Sequence, residues 1–185
     1  MGGSGYRRHV SSDSNAYLMV IGDREALAWV LSTRQTAFPA GRRGQVAQLT
    51  AGDELFVYTT RGCFRNPSRD RGRVIASATV TGPVVQDDDP VRFGERSFPL
   101  RCPLAITHLA PFGTGLELGE HLNALELFPD PRWWSIRLRR PPVPIGEHDR
   151  RYIADRLRTL VRPIDESLDD YVRLGSPAQA QGPSA

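Results

Sequence analysis

The stretch ELFVYTT, residues 54–60, constrains the fold of this chain more than any other segment. Side chains of a strand alternate between its two faces, so an unbroken run of apolar residues demands cover on both. That places the run centrally in a sheet with material packed above and below. The turn TAGD precedes it, and RVIASATVTGPV at 73–84 reads as its returning partner, with a mixed alternation at Ile75, Ala78 and Val80. AYLMVI, residues 16–21, is a second buried strand of the same kind. Gly22 and Asp23 end it, and Asp23 is placed to cap a helix over 24–33, where Ala26, Leu27, Val30 and Leu31 fall at helical spacing. Trp29, on the apolar side of that helix, reads as core. In QTAFPA, 35–40, Pro39 biases Phe38 away from helix, so the piece is expected to be extended.

A short helix is expected over 42–49, strands over 100–109 and 133–138, and helices over 117–125 and 147–162, with a last helical turn or two in 165–174. In a strand at 133–138, Trp133 and Trp134 would point to opposite faces. Short strands with interspersed helices, but no repeating strand–helix unit, predict an α+β fold with a curved, mixed, barrel-like sheet. One domain over 15–174 is expected, between a Gly/Ser-rich tail at 1–14, disordered or tag-derived, and a disordered tail at 175–185.

The chain has 24 basic and 21 acidic residues, and all 24 cations are arginine. Without lysine there is no Schiff base and no Walker-type phosphate lysine. Arginine instead suits bidentate contacts to phosphates and base edges. Cys63 and Cys102 make no zinc spacing with His9, His108, His121 and His148, and the apolar runs fall far short of a membrane span. The expectation is a cytoplasmic protein with no cofactor, no metal and no membrane contact. DDDP at 87–90 reads as a solvated loop, and no catalytic constellation is present, so the chain reads as a non-enzyme. The densest chemical signal is 61–73, where Arg61, Arg65, Arg69, Arg71 and Arg73 accompany Phe64 and face a single Asp70. Arginines beside a stacking aromatic suit a nucleic-acid backbone, and a solvated surface is the alternative. Arg137, Arg139 and Arg140 beside the two tryptophans form a second cluster, although core packing is the commoner use of tryptophan.

The order of pieces resembles the EVE domain of the PUA-like superfamily, related to YTH domains. The pieces are AYLMVI followed by a helix, QTAFPA, the LTAGDELFVYTT strand, GRVIASATVTGPV, and WWSIRLRRPPVPI before a closing helix, together spanning about residues 16–162. The resemblance implies a curved sheet with surrounding helices and a flipped modified base held in an aromatic pocket. Modified cytosine in DNA is the favoured ligand, RNA the alternative, and a nuclease or restriction protein a partner in trans. It also implies site residues: Phe38 as an aromatic wall, Gly22 and Asp23 as an edge bonding the base, Tyr58, Thr59 and Thr60 as floor and rim, and Phe93 or Phe98 as a further aromatic. Relatives often place tryptophan where these phenylalanines stand. Two rival readings remain: a small enzyme on an ASCH-type PUA-like scaffold, with Asp23 its candidate carboxylate, and a protein- or small-ligand-binding module.

Overall fold

The two apolar runs pair directly. In the computed structural model, which describes residues 14–66, 68 and 70–175, β1 (Ala16–Ile21) lies parallel to β3 (Glu54–Thr59), with Ala16 opposite Glu54 and Ile21 opposite Thr59. Between them run α1 (Arg24–Thr33), β2 (Gln35–Phe38) and the short α2 (Arg43–Val46). After β3 come β4 (Arg73–Val80), β5 (Val85–Phe93), β6 (Arg96–Ala105), β7 (His108–Leu109) and β8 (Leu116–Glu117). The chain closes with α3 (Trp134–Arg137), β9 (Val143–Ile145), α4 (Glu147–Leu157), β10 (Arg162–Pro163) and α5 (Leu168–Gly175). The expected tails fall outside the described residues, save for their innermost positions.

The main sheet has the order β2-β6-β4-β3-β1-β9, with β5 added on β6 and β8 on β4. Only β1 and β3 are parallel, so the sheet is mixed, and it curls into a half-barrel. Two features bend it. β6 changes partners along its length, pairing β5 and β2 over Arg96–Pro103 and β4 at Leu104–Ala105. Opposite Val57 and Tyr58 the register of β4 slips by one residue, a bulge that adds local twist. The bulge also explains the mixed alternation of β4, since Ile75 and Ala76 both face the same core.

Each face of the sheet carries its own core. Leu55 and Val57 of β3 and Tyr17, Met19 and Ile21 of β1 join Leu27, Val30 and Leu31 of α1 and Tyr171 of α5. Phe56, Tyr58 and Leu18 point the other way, onto Leu118, Leu125, Phe128, Ile153 and Leu157. Asp53 is buried at the turn before β3, where its two oxygens accept the backbone N–H groups of Asn15 and Thr50, each at 2.9 Å.

Four expectations are corrected. Residues 133–138 are not a strand: Asp130 caps a 3-10 turn with Pro131 in its first position, and α3 follows directly. DDDP is not a loop but part of β5, held by a 3.0 Å ion pair from Arg101 to Asp87 and by Arg101 donating to the Asp89 carbonyl. The helix expected at 117–125 is two 3-10 turns, and α4 ends at Leu157 rather than 162.

Candidate functional site

A cavity of about 380 Å³ opens at the C-terminal end of β1. β1 is followed at once by Gly22 and by Asp23, whose Oδ1 accepts the N–H groups of Glu25 at 2.8 Å and Ala26 at 3.0 Å. This cap starts α1 and points Ala26, Trp29 and Val30 into the cavity. Across from α1, the β5–β6 hairpin supplies Phe93 and Phe98, and β2 contributes Phe38. Trp29 and Phe93 meet edge-to-face at 6.1 Å, and Phe93 and Phe98 at 5.5 Å, so the wall is a continuous chain of rings. Arg96 lies over Phe98 at 5.2 Å from its centroid. Arg42 and Arg139 complete the lining, and Arg42 Nη2 donates to the Arg139 carbonyl at 3.3 Å, tying the turn after Pro39 to the segment after α3. Three guanidiniums therefore oppose one carboxylate, Asp23. Such a site favours a flat, apolar-faced ligand carrying negative charge.

The structure brings Gly22, Asp23, Phe38, Phe93 and Phe98 together around this cavity. Phe38 is more enclosed than its polar sequence neighbours imply. It is 4% exposed and belongs to the core, with its ring forming cavity wall and core packing at once. Trp29, read as core, is only half-buried and lines the cavity. Tyr58 and Thr59 lie elsewhere. Tyr58 is 2% exposed on the opposite face of the sheet, 6.5 Å from the Trp134 ring, and burial pushes its phenol up to about 12. Its hydroxyl lies so close to Gly72 that a Cβ there would come within 2.0 Å of it, which is why residue 72 carries no side chain. Thr59 is buried, donating to the Arg73 carbonyl at 3.3 Å. Thr60 sits behind Gly22, its N–H bonded to the Ile21 carbonyl. The sequence gives no sign of Arg42 and Arg96 at this cavity and places Arg139 in the separate cluster beside the tryptophans, while the i, i+3, i+4 spacing of Ala26, Trp29 and Val30 already puts those three on one helical face.

The basic loop is more internally paired than its composition implies. Arg73 binds Glu117 at 2.7 Å, and Arg65 reaches Glu25 of α1 at 3.4 Å, which pins the loop beside the cavity edge. The Asp70 carboxylate accepts the N–H groups of Phe64 and Asn66, both at 3.2 Å, and so shapes the loop itself. Phe64 is not displayed for stacking but packs inward on Phe112 at 5.0 Å and Tyr171 at 6.2 Å. Arg61 and Arg71 are exposed and line a second cavity of about 460 Å³ with Trp134. Arg69 lies outside the described residues.

Glu126, His148 and Asp149 place ligand atoms within 4.8 Å of one another. The Asp149 carboxylate is already engaged, accepting from the Glu126 and Leu127 N–H groups at 2.9 and 2.8 Å and bonding His148 Nδ1 at 3.0 Å. It anchors the turn before Phe128 to α4. Cys63 and Cys102 are buried free thiols, pushed up by burial to about 12 and about 11.

No family model and no curated protein matches the chain. Among solved structures, a hypothetical protein from Leishmania major is similar at 15% identity and a TM-score of 0.50, covering 80% of this chain and 96% of that one; the two share a fold. Two structures of the Mmi1 YTH domain with RNA align at 11% and 12% identity with TM-scores of 0.43 and 0.42. Each covers 61% of this chain, which spans 63% and 66% of theirs. No helix among the described residues is long and apolar enough to cross a membrane.

Proposed function

We propose that this chain is a non-catalytic reader of modified nucleic acid, taking one flipped base into the cavity at the end of β1. The observation that carries the proposal is the joining of the Trp29–Phe93–Phe98 ring chain to three arginines at one cavity of about 380 Å³. A base has two apolar faces for the rings, a polar edge for Asp23 and the backbone at Gly22, and flanking phosphates for Arg42, Arg96 and Arg139. A methyl group on the base gains desolvation energy against such a wall, roughly 0.8 kcal/mol per fully buried carbon. The order of segments shared with EVE domains supports the same reading, with modified cytosine in DNA as the first candidate. A nuclease acting in trans would give the recognition its consequence.

The enzyme reading has less support, because among the described residues Asp23 lines this cavity with no second acid, base or metal ligand beside it in the lining. Titration of fluorescein-labelled oligonucleotides that differ only in one modified base tests the proposal. The candidates are 5-methylcytosine in DNA and N6-methyladenine in RNA. Tighter binding of one modified partner, abolished by Trp29→Ala, supports it. Equal affinity for every matched pair refutes it.

A further inference from the structure

A second feature of the molecule is unusual for a protein surface. Trp133 is 61% exposed and Ile136, three residues on and on the same helical face, is 46% exposed. Trp134 is turned inward onto Tyr58 and Phe128, so the two adjacent tryptophans divide between core and solvent. Around the exposed pair stand Arg137, Arg139 and Arg140, all exposed. Arg132 is bound to Asp130 at 2.9 Å, but among the described residues no carboxylate pairs with the other three. In the 61–73 loop, by contrast, Arg65 and Arg73 are held in ion pairs.

The patch also runs into the cavity: Arg139 and Pro141 line it, and Arg139 lies six residues beyond Trp133, in the turn that follows α3. Unpaired cations, an exposed indole and continuity with the cavity mouth favour one occupant, a single strand of nucleic acid.

We propose that the α3 segment is the strand-tracking surface of this protein. Trp133 stacks on a base flanking the one in the cavity, and Arg137 and Arg140 neutralise the adjoining phosphates. The inference rests on the reading of the cavity as a base pocket, but its contacts are blind to modification.

The test uses a fluorescein-labelled, unmodified single-stranded 12-mer alongside the modified one. Trp133→Ala is expected to weaken both about equally, by roughly 5- to 150-fold, and Trp133→Phe to restore most of the loss. Arg137→Ala with Arg140→Ala is expected to flatten the log–log salt slope by about 1.4 units. Melting curves should hardly move, since these side chains are exposed. Unchanged affinity and slope in both variants would overturn the inference while leaving the pocket reading intact. Loss of single-strand affinity with no preference for any modified base would overturn the pocket reading and keep this one. A wild-type protein that binds neither 12-mer would overturn both. Cosedimentation with phosphatidylglycerol vesicles that depends on Trp133, with 12-mer binding unaffected, would assign the patch to a membrane surface instead.

Discussion

Replacing Phe38 and Phe93 in turn separates the two functions that aromatics perform in the cavity. Phe38 is 4% exposed and packs in the core while facing the cavity, so Phe38→Ala removes a fully buried ring. Such truncations cost about 3–5 kcal/mol, and for a domain of this length each kcal/mol lowers Tm by about 2–4 °C. The expected drop is therefore on the order of 6–20 °C. Phe93 is half-buried, with edge-to-face contacts to Trp29 at 6.1 Å and Phe98 at 5.5 Å. Such pairs contribute roughly 0.5–1.5 kcal/mol each beyond burial, so Phe93→Ala should cost about 1–3 kcal/mol of stability. Its larger effect falls on binding, where losing one stacked ring weakens a base contact by about 1–3 kcal/mol, or about 5- to 150-fold. Scanning calorimetry beside anisotropy titrations with matched modified and unmodified oligonucleotides reads both quantities. Phe93→Ala should reduce the preference for the modified partner with a Tm drop of about 2–12 °C, and Phe38→Ala should lower Tm the more. The reasoning is refuted if Phe93→Ala lowers Tm as far as Phe38→Ala while the preference stays intact.

Three further outcomes follow from named contacts. Asp23→Asn should keep the α1 cap, because asparagine caps as well as aspartate, while changing the preference between modified and unmodified partners; Asp23→Ala should also lose about 1 kcal/mol by urea unfolding. Arg73→Ala should destabilise the fold by about 1–3 kcal/mol through its lost bond to Glu117 yet leave the salt dependence of binding untouched, whereas Arg71→Ala should do the reverse and lower the slope by about 0.7–0.9. The fold should weaken in alkali. Burial holds the Cys63 and Tyr58 groups neutral up to about 12 and Cys102 up to about 11, against ordinary values of 9.0 for thiols and 10.0 for tyrosine. The unfolded chain releases these protons first, so their stabilisation is complete below pH 9 and is lost as pH rises toward 12. A urea midpoint that stays flat from pH 9 to pH 11 would contradict this.

What the amino-acid order determined by itself is the set of elements with strong local instructions. The unbroken apolar runs of β1 and β3 imposed burial on both faces, and the structure provides a separate core for each. Asp23 and the spacing of Leu27, Val30 and Leu31 set the limits of α1, because a capping carboxylate and a 3.6-residue period act within a dozen residues. The Asp130–Pro131 start of the turn before α3 is equally local, a capping carboxylate followed by a proline in the first helical position, although 133–138 reads as a strand. Other features have no local cause. Tyr58 faces away from the cavity because β3 pairs with β1 in one particular register, and a shift of one residue would exchange every face. Phe93 reaches Trp29, and Phe98 reaches Phe93, only because the β5–β6 hairpin folds back across α1 from more than 60 residues away. Which arginines are spent on Glu25 and Glu117, and which stand beside Trp133 with no carboxylate partner among the described residues, depends on side-chain reach across the finished surface. Composition supplied the arginines, while long-range packing decided which of them face a ligand, since charge pairing is set by distance in space rather than along the chain.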